Sequence, residues 1–159
     1  MNLDVLQKEV LTMLANARVL FLASVNQFSL PEASSVPFLF LDDRFWIFVS
    51  RLSDHTQNLS QSNVASLMLL KNLDNESDPF TIERIGFSCL AEEVHQSKNE
   101  ILDLMTKKLG DTVTLLRQLP DFHLFALQPE SGRYIKGFGQ TYRINCPTMV
   151  LEHVNPAKA

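Results

Sequence analysis

The sequence predicts a mainly β (α+β) fold in which antiparallel strands close into a small barrel with flanking helices. Strand-like apolar segments outnumber helical ones, and short turns join most of them, which favours antiparallel pairing. Closure into a barrel removes the exposed edges that so many strands would otherwise leave. One segment, "ASLMLLK" at 65–71, is apolar on both faces and is expected at the centre of the sheet. We expect a second copy of the chain to cover its outer face.

The first third of the chain predicts one helix and three strands. Leu3, Leu6, Val10 and Leu14 recur at helical spacing, which predicts an amphipathic helix over about 2–17. Three segments rich in β-branched and aromatic residues follow, and Asp42-Asp43 is expected to form the turn between the last two of them. These strands are "RVLFLASV" (18–25), "PEASSVPFLFL" (31–41) and "RFWIFVS" (44–50).

The rest of the chain predicts a short helix, four more strands and two further helices. Residues 55–62 form the short helix, and Gly86 is predicted as a bulge in the long strand over 80–94. Ser97 and Gly110 are the expected cap residues of a helix that a second one, 111–119, follows. The last two strands, predicted to form a hairpin at "ESG", are "FHLFALQP" (122–129) and "RYIKGFGQTYRI" (133–144).

Composition places limits on the function. The 159 residues suit one domain that buries roughly 70% of its unfolded surface. We expect a barrel over about 19–145 and a short tail over 146–159. A net charge of −4 argues against a nucleic-acid surface. No apolar run is long enough to span a membrane, and the N-terminus lacks signal-peptide features. Cys89 and Cys146 fit no metal spacing and suggest reduced thiols, so the cytoplasm is the expected compartment.

One turn concentrates groups that can hold an anion. The stretch "SRLSDHTQNL", residues 50–59, directly follows the apolar run "FWIFV". Asp54 or Ser53 can cap the short helix, whose N-terminus then presents free N–H groups and a positive dipole. Arg51 adds a bidentate donor, and hydroxyls and His55 are close by in sequence. The alternative is a polar strand-to-helix turn with ordinary capping.

Other candidate residues carry weaker signals. Arg84 opens a long strand and can reach a ligand phosphate, although an exposed strand arginine is the more common case. Gly137 and Gly139 permit close approach of a flat ligand, but bulge glycines needed for barrel curvature are the simpler explanation. His153 is a candidate haem ligand because one imidazole suffices, and an exposed tail histidine is the alternative. His123 is expected to be a packed or surface residue of its strand.

Three stretches together resemble the flavin-binding split-barrel superfamily, whose best-known members are the pyridoxamine 5′-phosphate oxidases. The resemblance is closer to the haem-utilisation, HugZ/HutZ-type branch, and it covers nearly the whole chain. The first stretch runs over 33–69 and includes the S-x-H-T-x-N-L turn, the second is "ERIGFSCLAEEV", and the third contains the G-R-x-x-x-G-F-G-x-x-Y pattern of "GRYIKGFGQTY".

The resemblance implies a six-stranded antiparallel split barrel that forms a homodimer with two equivalent sites at the subunit interface. His55 stands where many FMN-binding relatives have a lysine, and a histidine holds a phosphate dianion less firmly. The implied haem site uses a histidine near the C-terminus, for which His153 is the candidate, and an acidic residue that supports it, here Asp121. The implied cofactor-binding residues are Ser50, Arg51, Ser53, His55, Thr56, Asn58, Arg84, Asp121, Gly137 and Gly139.

Three hypotheses about function follow. The first is a haem-binding homodimer that opens the macrocycle oxidatively with an external electron donor. The second is an FMN-dependent oxidoreductase using the same cleft, in which the protein positions and tunes the flavin. The third is a haem or flavin carrier without turnover.

Overall fold

The computed structural model describes residues 2–71 and 78–154. Most of the predicted loop at 72–79 and the last five residues of the predicted tail lie outside this range. The four helices of the described residues are α1 (Leu3–Asn16), α2 (Asp54–Gln61), α3 (Lys98–Leu109) and α4 (Thr112–Leu116). The strands are β1 (Val19–Val25), β2 (Pro31–Pro37), β3 (Leu39–Leu41), β4 (Arg44–Ser50), β5 (Val64–Leu70), β6 (Arg84–Glu93), β7 (Phe122–Gly137), β8 (Gln140–Asn145) and β9 (Val150–His153).

All strand pairs in the described residues are antiparallel, and the sheet curls into the predicted split barrel. The hydrogen-bonded order is β2-β1-β5-β6-β7-β4-β3, with β8 beside β7 and β9 beside β8. Six long strands are accompanied by the three-residue β3 and by β8 and β9, so the sheet has nine strands, where the segment pattern predicts seven and the resemblance implies a six-stranded barrel. β5 lies between β1 and β6, which confirms its predicted interior position.

Phe38 joins the two ends of this sheet. β2 and β3 stand at opposite ends of the strand order, yet Phe38 is the single residue between them in sequence. Its N–H donates to the carbonyl oxygen of Arg18 at 3.0 Å, and its side chain is fully buried. The segment predicted as one strand over 31–41 is therefore two strands, and the break between them closes the barrel.

The apolar run of β4 is buried on both of its faces. Phe45, Ile47 and Val49 point into the barrel, where they pack in the main core cluster. Trp46 and Phe48 point outwards into a second cluster with residues of α3 and α4. The two helices thus cover the outer face of β4 and β7, which explains why this strand shows no alternation of apolar and polar residues.

Helix α1 follows the sequence prediction closely. The Asn2 side chain accepts a hydrogen bond from the Asp4 N–H at 2.9 Å, which satisfies one of the free donors of the first turn. Leu6, Val10 and Leu14 are fully buried against the barrel core. The apolar stripe read from the sequence is therefore the packing face of the helix.

Several local predictions are wrong. No hairpin forms at "ESG": β7 runs continuously from Phe122 to Gly137, and the turn lies between Gly137 and Gln140. Gly86 pairs regularly with β7 and forms no bulge. The register between β6 and β7 shifts instead at Ser88/Cys89, where Glu130 of β7 is the extra residue. Ser97 is the N-cap residue of α3, as predicted, although its side chain makes no cap hydrogen bond. Residues 150–153 of the predicted tail form β9, paired with β8.

Candidate functional site

The turn between β4 and α2 is fastened to the start of β7. The Ser50 hydroxyl donates to Asp121 Oδ2 at 2.6 Å and accepts from the Leu52 N–H at 3.1 Å. The Arg51 N–H donates to the Asp121 carbonyl oxygen at 2.7 Å. Ser50 and Asp121, both predicted as site residues, are therefore partners of each other, and their contact fixes the conformation of the turn.

Helix α2 begins immediately after this turn. Ser53 is its N-cap residue, but the Ser53 side chain makes no cap hydrogen bond; its carbonyl accepts from the Thr56 N–H at 3.0 Å. Ser53 is thus the correct one of the two predicted cap positions, although its hydroxyl does not provide the cap. Thr56 and Asn58 are buried on the inner face of the helix, beside the core residue Leu59.

Asn58 holds α2 against β1 and β2. Its Nδ2 group donates to Ser24 Oγ at 3.0 Å and to Glu32 Oε2 at 2.7 Å. Asn26 Nδ2 donates to the other Glu32 oxygen at 2.8 Å, and the hydrogen bonds from Asn26 and Asn58 lower the pKa of Glu32. Because both amide hydrogens of Asn58 are used within the chain, its observed contacts position the helix.

His55 is half-buried at the start of α2. Burial lowers its pKa, and the neighbouring Asp54 carboxylate opposes part of that shift. Burial therefore favours the neutral form of the imidazole over the charged form. A neutral side chain offers a phosphate dianion a hydrogen bond without a full positive charge.

Arg84, Gly137 and Gly139 lie at the opposite end of the barrel strands. Arg84 pairs with Ile135 and its Nη1 donates to the Ile82 carbonyl oxygen at 3.1 Å. Nine residue steps of β6 separate Arg84 from Glu93, or about 30 Å at 3.3 Å per residue. Gly139 has φ +73° in the β7–β8 turn, a conformation that glycine adopts readily. Within one chain these residues do not meet the Ser50–Asn58 turn.

His153 lies on β9, at the side of the barrel that carries β8. It pairs with Tyr142, and the two ring centroids are 4.8 Å apart at an interplanar angle of 48°. Tyr142 in turn stacks on the buried Tyr134, which pairs with Ile85 next to Arg84. The imidazole is exposed. A single chain therefore places His153 with the Arg84 group and away from Asp121.

Sequence reasoning missed a histidine–glutamate pair at the mouth of the barrel. His123 Nδ1 and Glu93 Oε1 are 2.5 Å apart, and the His123 side chain is 18% exposed. The pair borders a pocket of about 440 Å³ beneath α2, here called the mouth pocket; its lining is Arg51, Thr56, Gln57, Ser60, Gln61, Glu93 and His123. Strand periodicity could have found the pair, because His123 continues the inward row of Phe125 and Leu127.

The described residues contain neither a metal-binding cluster nor a membrane-crossing helix. Across residues 2–71 and 78–154, no group of three or more histidine, cysteine, aspartate or glutamate side chains is arranged to hold a metal ion. None of the helices in that part of the chain combines the length and apolar character needed to cross a bilayer.

The curled antiparallel sheet and its flanking helices define a split-barrel protein. The family model described as pyridoxamine 5′-phosphate oxidase matches residues 6–136, so the chain belongs to this family. Within the superfamily, its similarity to HutZ and ChuZ supports a place in the HutZ/HugZ-type branch. The resemblance stated from sequence motifs is thereby confirmed.

Three comparisons support that placement. The chain is 28% identical over 148 residues to HutZ of Vibrio cholerae serotype O1, named a haem oxygenase, covering 91% of this chain and 84% of HutZ. The structure of Campylobacter jejuni ChuZ superposes with a TM-score of 0.86 at 25% identity over 98% of this chain, which spans 66% of the ChuZ chain. The structure of V. cholerae HutZ, described there as a haem storage protein, gives a TM-score of 0.77 at 28% identity, with 87% of this chain and 98% of that chain covered.

Proposed function

We propose that this protein is a haem-utilisation split barrel that binds haem between two copies of the chain. The observation that carries the proposal is the likeness to HutZ and ChuZ over nearly the whole chain. The lowered pKa of His55 supports the same choice, because it weakens the charge that would hold a flavin phosphate dianion. Haem propionates are monoanionic carboxylates and require less positive charge.

An exposed apolar patch supports a homodimer. It consists of outward-facing side chains of three adjacent strands, of which Val19, Phe21, Val64, Met68 and Leu90 are the large ones. Phe21 pairs with Met68 and Val64 pairs with Leu90, and the exposed pair Ser66–Ser88 lies between these two apolar pairs on the same face. Several large apolar side chains exposed on one face are typical of an interaction site. It includes the outer face of β5 that the sequence already assigned to a second copy.

A two-fold dimer on this patch also explains the separation of the predicted site residues. In an isologous contact, one end of the patch on one copy lies beside the other end on its partner. The Ser50–Asp121 end of one chain is then next to the Arg84–His153 end of the second. We therefore place the haem site between the copies, where neither chain completes it alone.

The chain's own groups fit haem in distinct roles. His153 would hold the haem iron through its exposed imidazole, and Asp121 of the other copy would offer a carboxylate to orient that ring. Arg51 and His55 offer hydrogen bonds to the propionates. The iron supplies the redox chemistry when haem is bound and an external reductant is present, whereas the protein binds, orients and encloses it.

A haem titration tests the proposal. Adding haem to the purified protein is expected to give a Soret band at one haem per chain, and His153→Ala is expected to lose or strongly shift it, because the axial ligand is gone. His95→Ala is the matched control, since the His95 side chain is 79% exposed and lies on no predicted site. An unchanged Soret band in His153→Ala contradicts the ligand assignment. Loss of the band over time with ascorbate distinguishes degradation from storage.

A charge on the apolar patch tests the dimer. Phe21→Glu is expected to shift the protein from dimer to monomer by light scattering, because a carboxylate buried in the interface has no partner. Phe28→Glu, at an exposed position in the β1–β2 turn, is the control and should leave the dimer intact. A dimer that persists in Phe21→Glu at low micromolar concentration places the interface elsewhere.

FMN binding is the second candidate, favoured by the family match itself. In this alternative the same turn holds the flavin phosphate, and the protein is an FMN-dependent oxidoreductase. The absorption spectrum of the protein as isolated decides between the two: a flavin spectrum supports FMN, and a colourless protein that gains a Soret band with haem supports the first proposal.

A further inference from the structure

Both tyrosines of the chain lie side by side in one row across the sheet, here called the tyrosine row. Tyr134 of β7 pairs with Tyr142 of β8, and Tyr142 pairs with His153 of β9. The two tyrosine ring centroids are 5.9 Å apart, and those of Tyr142 and His153 are 4.8 Å apart, both within the range of aromatic contacts. Since β9 pairs only with β8 in the described part of the chain, the row runs from the exposed His153 at a sheet edge to the fully buried Tyr134.

The buried end of the tyrosine row is a phenol with a proton acceptor beside it. The Tyr134 hydroxyl donates to Glu83 Oε1 at 2.5 Å, and Glu9 Oε2 lies 3.4 Å from the same hydroxyl. Burial and the hydrogen bond to Glu83 raise the pKa of Tyr134, so the phenol keeps its proton at neutral pH. Glu83 forms an ion pair with Lys71, and its side chain is 15% exposed. A proton that Glu83 receives from Tyr134 can therefore pass on to solvent.

Core packing does not explain why this row is built from tyrosines. A phenylalanine fills an aromatic core position without a polar atom, and the chain contains eleven phenylalanines and two tyrosines. Burying a hydroxyl group costs free energy that only a hydrogen bond offsets. Tyrosine differs from phenylalanine in being readily oxidised by one electron, and loss of the phenol proton to a nearby base makes that oxidation easier. The contact with Glu83 supplies such a base at Tyr134.

We propose that the tyrosine row carries one electron from Tyr134 to an oxidised metal centre held at His153, with Glu83 accepting the phenol proton. One electron leaves the Tyr134 ring, passes through Tyr142 and reduces the metal centre by one. The O–H bond of Tyr134 breaks, and its proton converts the Glu83 carboxylate into a carboxylic acid. Tyr134 is left as a neutral radical, and an external one-electron reductant such as ascorbate returns it to the phenol with the same proton. The inference rests on the proposed function, in which His153 holds haem iron, and it adds a route that removes excess oxidising equivalents from that site.

Flash photolysis of the full-length apoprotein, carrying a ruthenium polypyridyl complex on His153, tests the relay without haem. The complex coordinates exposed histidines, and the fractions labelled at His153 and at His95 are separated and assigned by peptide mass. His95 is the matched control site, because its side chain is 79% exposed and it follows the end of β6 far from Ile85, the partner of Tyr134. After a flash with an external electron acceptor, the oxidised ruthenium at His153 is expected to be reduced at least tenfold faster than at His95. Freeze-quenched samples are expected to show the electron paramagnetic resonance signal of a tyrosyl radical.

Conservative variants of the His153-labelled protein identify the path. Tyr134→Phe is expected to lose the radical signal, and Tyr142→Phe is expected to slow its formation at least tenfold, because phenylalanine is much harder to oxidise. Glu83→Gln is expected to lower the radical yield at least tenfold, since an amide is a poor proton acceptor. Trp46→Phe is the control: it removes the single tryptophan of the chain, which packs in the outer cluster with α3 and α4, and should leave the rate unchanged.

The outcomes separate this inference from the proposed function. Equal reduction rates from the two labelled sites, or a radical signal unchanged in Tyr134→Phe, overturn the inference, and the row is then core packing alone. A radical yield unchanged in Glu83→Gln overturns the role of Glu83 as proton acceptor. Because the flash experiment contains no haem, a failed haem titration contradicts the haem proposal without bearing on the tyrosine row, and a failed flash experiment leaves the haem titration standing.

Discussion

Replacing Phe38 by alanine is expected to lower the free energy of unfolding by about 3–5 kcal/mol. The ring is fully buried and lies 5.6 Å from the ring of Phe45 in the core. Lys108 Nζ lies over the same ring, 4.6 Å from its centroid, and burial lowers the pKa of that amine. Removing the ring leaves a cavity at the junction of β2 and β3 and takes away the cation–π partner of Lys108.

Chemical denaturation followed by tryptophan fluorescence measures this loss. Phe138→Ala is the matched control, because Phe138 is 88% exposed in the β7–β8 turn. Its substitution should change the free energy of unfolding by no more than about 0.5 kcal/mol. Equal effects of the two substitutions would mean that Phe38 does not close the barrel.

The second large effect is expected at Gly132. A Cβ at this position would lie 2.5 and 2.6 Å from two ring atoms of Phe87 and 3.1 Å from Ile144 Cβ. Phe87 is buried among core residues and cannot move freely, so Gly132→Ala is expected to cost about 1–3 kcal/mol through overpacking. The first glycine of the G-R-x-x-x-G-F-G pattern is therefore required by packing.

Gly137→Ala provides the comparison for Gly132→Ala. A Cβ at Gly137 meets nothing within 4 Å, and the residue needs no positive φ. The free energy of unfolding of the Gly137→Ala protein should stay within about 0.5 kcal/mol of the wild-type value. Thermal unfolding of the two variants side by side checks the contrast, and a stable Gly132→Ala protein would show that Phe87 has room to shift.

The sequence predicted the order of the helices and nearly all strands, since these depend on periodicity within short segments. It failed at "ESG" because Ser131 and Gly132 have turn propensity, while pairing with β6 and β8 on both sides keeps β7 extended through them. It also missed the strand break at Phe38, because that break depends on closure of the barrel. Tertiary pairing decided both cases against local propensity.

The candidate site was only partly predictable for a similar reason. The motif around His55 identified the turn, and Ser50 and Asp121 do meet there. Their mutual hydrogen bond, the use of Asn58 as a helix clamp and the contact of His123 with Glu93 all depend on strand register, which single-sequence patterns do not fix. The position of Arg84 and His153 at the opposite end of the strands from the turn likewise follows from strand register.

The contact between Ser50 and Asp121 has a consequence for the order of folding. It joins residues 71 positions apart in the chain, whereas the β1–β2 hairpin closes through a turn of a few residues. Long loops close later because more chain entropy is lost before any contact repays it. A refolding chain should therefore gain its α1 and hairpin structure before the turn at Arg51 is fastened. Any ligand binding at this turn would then be among the last properties to return during refolding. The rate at which binding recovers would report the rate of the last folding step.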